Sequence, residues 1–144
     1  MNQAEIMDIL PHRAPMLLVD EVELETDESG GRRAVGTYTV RGDEFFLQGH
    51  FPGNPVVPGV MLCEMMGQCS CVLIADQASG ATPYFTSMEK VRFRHPVHPG
   101  DTIRFTSRLL RAKAPFYFVA GSGYVGDQLC VTAELSFALM RPDR

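Results

Sequence analysis

Val60-Met61-Leu62-Cys63-Glu64-Met65-Met66-Gly67-Gln68-Cys69-Ser70-Cys71-Val72-Leu73-Ile74-Ala75 is the stretch on which the fold turns. Twelve of its sixteen residues are apolar, only Val60, Val72 and Ile74 are β-branched, and Pro58-Gly59 marks its entry. That pattern predicts a helix without a polar face. At about 1.5 Å per residue it runs about 24 Å. A helix apolar on nearly every side is stable only when other elements surround it, so the rest of the chain has to wrap it.

The wrapping material lies on both sides. Val91 and Phe93 alternate with Arg92 and Arg94, and Ile103 and Phe105 alternate with Arg104 and Thr106, as half-buried strands do. Phe116 to Tyr124 is aromatic and β-branched until Gly121 and Gly123. In the last run Leu129, Val131, Ala133, Leu135, Phe137 and Leu139 oppose Thr132, Glu134 and Ser136. Pro99-Gly100-Asp101, Ala114-Pro115 and Gly126-Asp127 fall between runs as turn residues. Upstream, Met16 to Leu24 and Ala34 to Val40 predict two more strands around an Asp27 to Gly31 turn, after a short helix from Gln3 to Leu10. The expected layout is α+β: one domain over residues 1–144 in which a curled antiparallel sheet encloses a single helix.

Composition narrows the function classes. The 144 residues carry 13 Lys+Arg against 17 Asp+Glu, a formal charge of −4, so no global field draws nucleic acid. The run from Val60 to Ala75 contains Glu64 and Gln68 and is short for a bilayer span, and no membrane association is expected. The start, MNQAEIMDILPHR, lacks the basic-then-apolar pattern of a secretory leader. Four cysteines (Cys63, Cys69, Cys71, Cys130) are too few to scaffold this chain and read as reduced thiols in a cytoplasmic protein.

The chemistry concentrates between the second strand and the helix. Gln48-Gly49-His50-Phe51-Pro52-Gly53-Asn54-Pro55-Val56-Val57-Pro58-Gly59 holds three prolines and, among its glycines, Gly49, Gly53 and Gly59, which together fix one loop shape. Two readings are open for its histidine: His50 satisfies backbone groups in a tight loop, or it is a site residue on a rigid support. Glu64 is the only charged residue of the helix. It is either a carboxylate satisfied locally by Gln68 one turn on or a desolvated acid whose pKa burial raises toward the neutral, proton-donating form. A neutral histidine and a buried carboxylic acid form an acid/base pair able to take and give a proton near neutral pH. The helix N-terminus at Gly59-Val60 adds N–H donors for an oxygen that becomes negative.

Three strings, in order, resemble one family. His12-Arg13-Ala14-Pro15-Met16-Leu17-Leu18-Val19-Asp20 comes first. Gly49-His50-Phe51-Pro52-Gly53-Asn54-Pro55-Val56-Val57-Pro58-Gly59-Val60 follows, with Glu64 and Gln68 beyond it. Arg92-Phe93-Arg94-His95-Pro96-Val97, with Pro99-Gly100-Asp101, completes the set. Together they are similar to the FabZ-type 3-hydroxyacyl-[acyl carrier protein] dehydratases. The resemblance implies the hot-dog fold, a homodimer assembled further as a trimer of dimers, no cofactor, and loss of water from a (3R)-3-hydroxyacyl thioester to give the trans-2-enoyl product. It implies His50 as base and Glu64 as acid, brought to one site from two subunits. The FabA-type relatives that also isomerise the double bond carry Asp where this chain has Glu64, which argues for dehydration alone. Ala14 departs from the family's usual aromatic residue.

The same resemblance implies substrate contacts from Gly59, Val60, Phe51, Gln68 and Tyr84, the last as an aromatic gate just before the strand that holds Val91. It also implies a partner, an acyl carrier protein bearing a 4′-phosphopantetheine-linked acyl chain. Lys90, Arg92 and Arg94 are read as sharing one face of their strand and offering it to that acidic carrier; the plainer reading is a solvated stripe. His95-x-x-His98 has no third ligand at suitable spacing, so no metal is expected. His12 is read as structural. A hot-dog acyl thioesterase and a noncatalytic acyl-binding module are the alternatives, and a buried acid/base pair argues against the second.

Overall fold

In the computed structural model, which describes residues 1–141, the chain is helical from Gly59 to Ala78: α2 (Gly59–Cys71), a 3-10 turn (Val72–Ile74) and α3 (Ala75–Ala78). A short α1 (Gln3–Ile9) precedes it, capped by Asn2 and Glu5 in a reciprocal box. Six strands complete the fold: β1 (Glu21–Thr26), β2 (Arg32–Thr39), β3 (Thr82–Phe93), β4 (Thr102–Lys113), β5 (Phe116–Val125) and β6 (Gln128–Met140). They form one sheet in the order β1-β2-β4-β5-β6-β3, with every pair antiparallel. This is the hot-dog arrangement expected; residues 142–144 of the expected domain span lie outside the described residues.

The sheet curls because its inner face has one helix to cover. Ala34, Tyr38, Ile103, Phe105, Val119, Val131, Leu135 and Phe137 point inward and are buried with Met65, Met66 and Cys69 of α2. Small residues let the layers approach: a Cβ at Gly36 of β2 would overlap the Cys69 sulfur, and one at Gly121 of β5 would lie 2.7 Å from the Met66 sulfur. The helix is not enclosed on every side. Val60 is 67% exposed and Glu64 keeps part of its side chain in solvent. At 20 residues the continuous helical span is long and apolar enough to cross a membrane by composition, longer than the sequence suggested, but its apolar side chains are spent on the sheet.

Three expectations need correction. The first strand starts at Glu21, not Met16; residues 16–19 run along α2 instead, with the Leu18 N–H donating to Gln68 Oε1 (2.8 Å) and Gln68 Nε2 donating to the Met16 carbonyl (2.7 Å). The third strand begins at Thr82, so Tyr84 and Phe85 lie within it. Lys90, Arg92 and Arg94 do not form one row. A register shift between Glu89 and Arg92 is accommodated by Lys90 at φ 53°, and Arg94 lies past the strand's end. Lys90 turns to Glu134 at 3.4 Å, while Arg92 and Arg94 are exposed.

Candidate active site

The loop that carries His50 is pinned at several points. Phe51 and Asn54 exchange backbone hydrogen bonds at 2.9 and 2.8 Å, the Val56 N–H donates to the His50 carbonyl, and the Val57 N–H donates to the carbonyl of buried Val97. Gly49 and Gly53 adopt φ of 82° and 74°, which side chains disfavour. On this frame His50 Nδ1 lies 2.9 Å from the Val56 carbonyl. A carbonyl oxygen only accepts, so Nδ1 carries the hydrogen and Nε2 of the neutral ring presents a lone pair. The tight-loop reading of His50 is thus seen directly, and it does not compete with the functional one, since the backbone bond sets the tautomer a base would require. Phe51 stacks on the imidazole, ring centroids 4.0 Å apart. Gly59, Val60, Phe93 and Arg94 line the same cleft, where the Phe93 ring fills the space a Gly59 side chain would take.

Glu64 sits one turn further along α2, in a different cavity of about 60 Å³ lined also by His12, Gly67, Gln68, Phe85 and Phe137. Its Oε2 accepts from Gln68 Nε2 at 2.9 Å and lies 3.3 Å from His12 Nε2. The expected rise in its pKa is not found. Burial does push Glu64 up, but the hydrogen bonds from His12 and Gln68 and the charge His12 can carry outweigh it, and the carboxyl lies below its ordinary range. Sequence shows that Glu64 is desolvated; it does not show which partners fold back onto it.

The chain thus separates the two expected site residues between two clefts. Of the others, Gly59, Val60 and Phe51 surround His50, and Gln68 holds Glu64. Tyr84 is 58% exposed and pairs in register with Ala138, while its neighbour Phe85 turns inward, its ring tip on Gly67 beside Glu64. His12, read as structural, belongs to the Glu64 cavity. A histidine twelve residues from the N-terminus gives no signal of reaching position 64, because the contact is made only when the loop after α1 lies across α2. Among the described residues no three His, Cys, Asp or Glu side chains cluster as metal ligands. The four cysteines are free and buried, and burial pushes their thiols up, Cys69 to about 12.

Residues 10–134 match the family model of the FabA-like domain. The chain is 39% identical over 146 aligned residues to the 3-hydroxyacyl-[acyl-carrier-protein] dehydratase FabZ of Alkaliphilus metalliredigens, covering 99% of this chain and 97% of that protein. It is 43% identical over 141 residues to the protein of the same name from Caulobacter vibrioides, covering 95% and 86%. Among solved structures, the dehydratase heterocomplex ApeI:P from Xenorhabdus doucetiae superposes with a TM-score of 0.80 at 22% identity, over 96% of this chain and 92% of that one. An HP0420 homologue from Helicobacter felis does so with a TM-score of 0.65 at 15% identity, over 94% and 99%. These two share the fold. With a family model over most of its length and full-length relatives at this identity, the chain belongs to the FabA-like family, among its FabZ-type 3-hydroxyacyl-[acyl-carrier-protein] dehydratases.

Proposed function

We propose that the chain removes water from a (3R)-3-hydroxyacyl thioester carried by an acyl carrier protein, giving the trans-2-enoyl thioester. The observation that carries the chemistry is the tautomer of His50: with Nδ1–H committed to Val56, Nε2 is free to take the C2 proton. The C2–H electron pair becomes the C2=C3 bond, the C3–O bond breaks, and the departing oxygen takes a proton from Glu64 and leaves as water. The N-terminus of α2 at Gly59 and Val60, which borders the His50 cleft, stabilises the thioester oxygen as it gains charge.

A homodimer completes this site. β3 is an edge strand, and Tyr84, Phe85, Met88 and Phe93 are all more than a third exposed along it, an unpaired apolar edge of the kind proteins normally cover. Two copies pairing antiparallel about a two-fold axis near the middle of β3 set the Phe93 end of one beside the Phe85 end of the other. The first end borders the His50 cleft and the second the Glu64 cleft, so each His50 meets Glu64 of the second subunit. The approach removes remaining water from Glu64 and pushes its pKa back up, which lets it hold the proton it must deliver. The 60 Å³ beside Glu64 is far below what a ligand cavity needs, consistent with an acyl tunnel that exists only between subunits. In this reading Tyr84, exposed near the Phe85 end, gates it, and Arg92 and Arg94, the two cations of the expected stripe without an ion-pair partner among the described residues, meet the acidic carrier. Assembly into a trimer of dimers, and a cytoplasmic setting suited to four free thiols, belong to the same proposal.

The test is the product. Incubated with a 3-hydroxyacyl thioester on its carrier, the protein should generate the ultraviolet absorbance of a conjugated enoyl thioester without releasing free thiol. Thiol release without that absorbance makes it a thioesterase, and neither signal with substrate bound makes it a binding module.

A further inference from the structure

We propose that His12 is a positioning residue for Glu64: together with Gln68 it holds Oε2 of the carboxyl, leaving Oε1 as the oxygen that carries the proton to the leaving hydroxyl. The inference rests on the dehydratase reading above and assigns a role to a side chain which that reading leaves unused.

The geometry is specific. His12 Nε2 and Gln68 Nε2 both reach the same oxygen, at 3.3 and 2.9 Å. Gln68 is 2% exposed and fixed by two further bonds to residues 16 and 18. His12 is fixed through its backbone: the Arg13 guanidinium clamps the carbonyls of His12 (2.7 Å), Leu10 (2.9 Å) and Met7 (3.2 Å), which holds the loop after α1 across α2. The other ring nitrogen, Nδ1, is buried with no hydrogen-bond partner among the described residues. A histidine kept for the fold alone would have both nitrogens satisfied; this ring's hydrogen bonding among the described residues is directed at Glu64. Among the described residues nothing else competes for that role. On α2 the polar or titratable groups near Glu64 are Gln68 and the thiol of Cys71, which the carboxylate itself helps push up. β3 presents Pro83 and Phe85, and β6 presents Phe137.

Two donors on Oε2 favour the carboxylate over the acid, and the carboxylate is what forms as Oε1–H passes its proton to the C3 oxygen. Because the donors are in place beforehand, they stabilise that charge without rearrangement. The proton His50 has taken then returns to Oε1 by way of water before the next turnover.

The experiment compares His12→Ala and His12→Gln in the full-length protein, reading kcat, KM and the titration of the Glu64 side-chain carboxyl by carbon-13 NMR. Without His12, burial dominates, so the carboxyl should titrate at higher pH than in the parent. Turnover should fall on the order of 10- to 100-fold, the worth of one hydrogen bond to a charged group, with KM changed little. Glutamine, which restores a donor near the Nε2 position, should recover most of both. His12→Met fills the ring's volume without a donor and takes the place of alanine if that variant unfolds. A folded donorless variant whose Glu64 titration matches the parent overturns the proposal, whether or not turnover falls. If the parent makes no enoyl thioester the dehydratase reading fails, and the NMR titration still decides the His12–Glu64 contact by itself.

Discussion

Replacing Gln68 with methionine should loosen the protein at one identifiable place. Gln68 makes three hydrogen bonds: it accepts from the Leu18 N–H, and donates to the Met16 carbonyl and to Glu64 Oε2. Methionine keeps the volume and removes all three. The Leu18 N–H is then left inside the protein without a partner, at about 1–3 kcal/mol, and losing the bond to the partly buried Met16 carbonyl costs about 1 kcal/mol more. The more apolar side chain returns about 1 kcal/mol, for a net loss of about 1–3 kcal/mol. For a chain of this size that lowers the melting temperature by about 2–10 °C. Hydrogen exchange should localise the damage, with the Leu18 amide losing protection while β5 and β6 keep theirs. Gln68→Glu sharpens the result: it still accepts from Leu18 but places a second carboxylate against Glu64, so its deficit should shrink as pH falls and one of the two protonates. Stability within about 0.5 kcal/mol of the parent, with Leu18 still protected, would refute the view that this side chain ties residues 16–18 to the helix.

Two further outcomes are expected. The Glu44 carboxylate accepts from the Tyr38 hydroxyl (2.6 Å) and from the N–H groups of Arg41 and Gly42; burial raises its pKa, but these bonds outweigh it and set it below the ordinary value. A folded-state pKa below the unfolded one means stabilisation present above the unfolded value and lost as pH falls through the folded one. Glu44→Gln should therefore cost about 1–2 kcal/mol at pH 7, a cost that begins to shrink near the ordinary carboxylate value of about 4.3 and vanishes only once pH is below the depressed folded one, followed in urea titrations; a cost that persists undiminished in acid contradicts the charge account. Gly36→Ala forces a methyl group against the Cys69 sulfur and to 3.2 Å from Cys69 Cβ and Val22 Cγ2, and should cost about 1–3 kcal/mol. Adding Cys69→Ala should recover part of that in a double-mutant cycle, and full additivity would mean that the two sites do not touch.

What the sequence made legible, and what it hid, divides along one physical line. Patterns within an element were readable: the apolar run of α2, the alternation of β4 and β6, the turn residues between them, and the Glu64–Gln68 pair at helical spacing. Contacts that depend on where distant segments lie were not. The apolar residues 16–19 look like strand, but Gln68 takes up their backbone groups and they pack against the helix instead. The basic residues at 90, 92 and 94 alternate on paper, yet the chain takes an extra residue at Lys90 and ends the strand before Arg94. Burial of Glu64 could be inferred from its neighbours, which gave the wrong sign for its pKa, because the donors that reverse it include His12 from 52 positions away.

The central claim is that His50 and Glu64 of different subunits make one site, and subunit mixing tests it most directly. His50→Ala alone removes the base, a loss of roughly 10²- to 10⁴-fold, and Glu64→Gln alone keeps the volume but cannot donate the proton. Unfolded and refolded together in equal amounts, the two inactive chains should form mixed dimers about half the time, each carrying one intact site of two. The predicted recovery is about one quarter of the parent's enoyl-thioester formation, for random pairing and independent sites. If both residues act within one chain, every site in the mixture lacks a partner. Activity at the level of the separate variants, with subunit exchange verified by a tag, would then contradict the shared site.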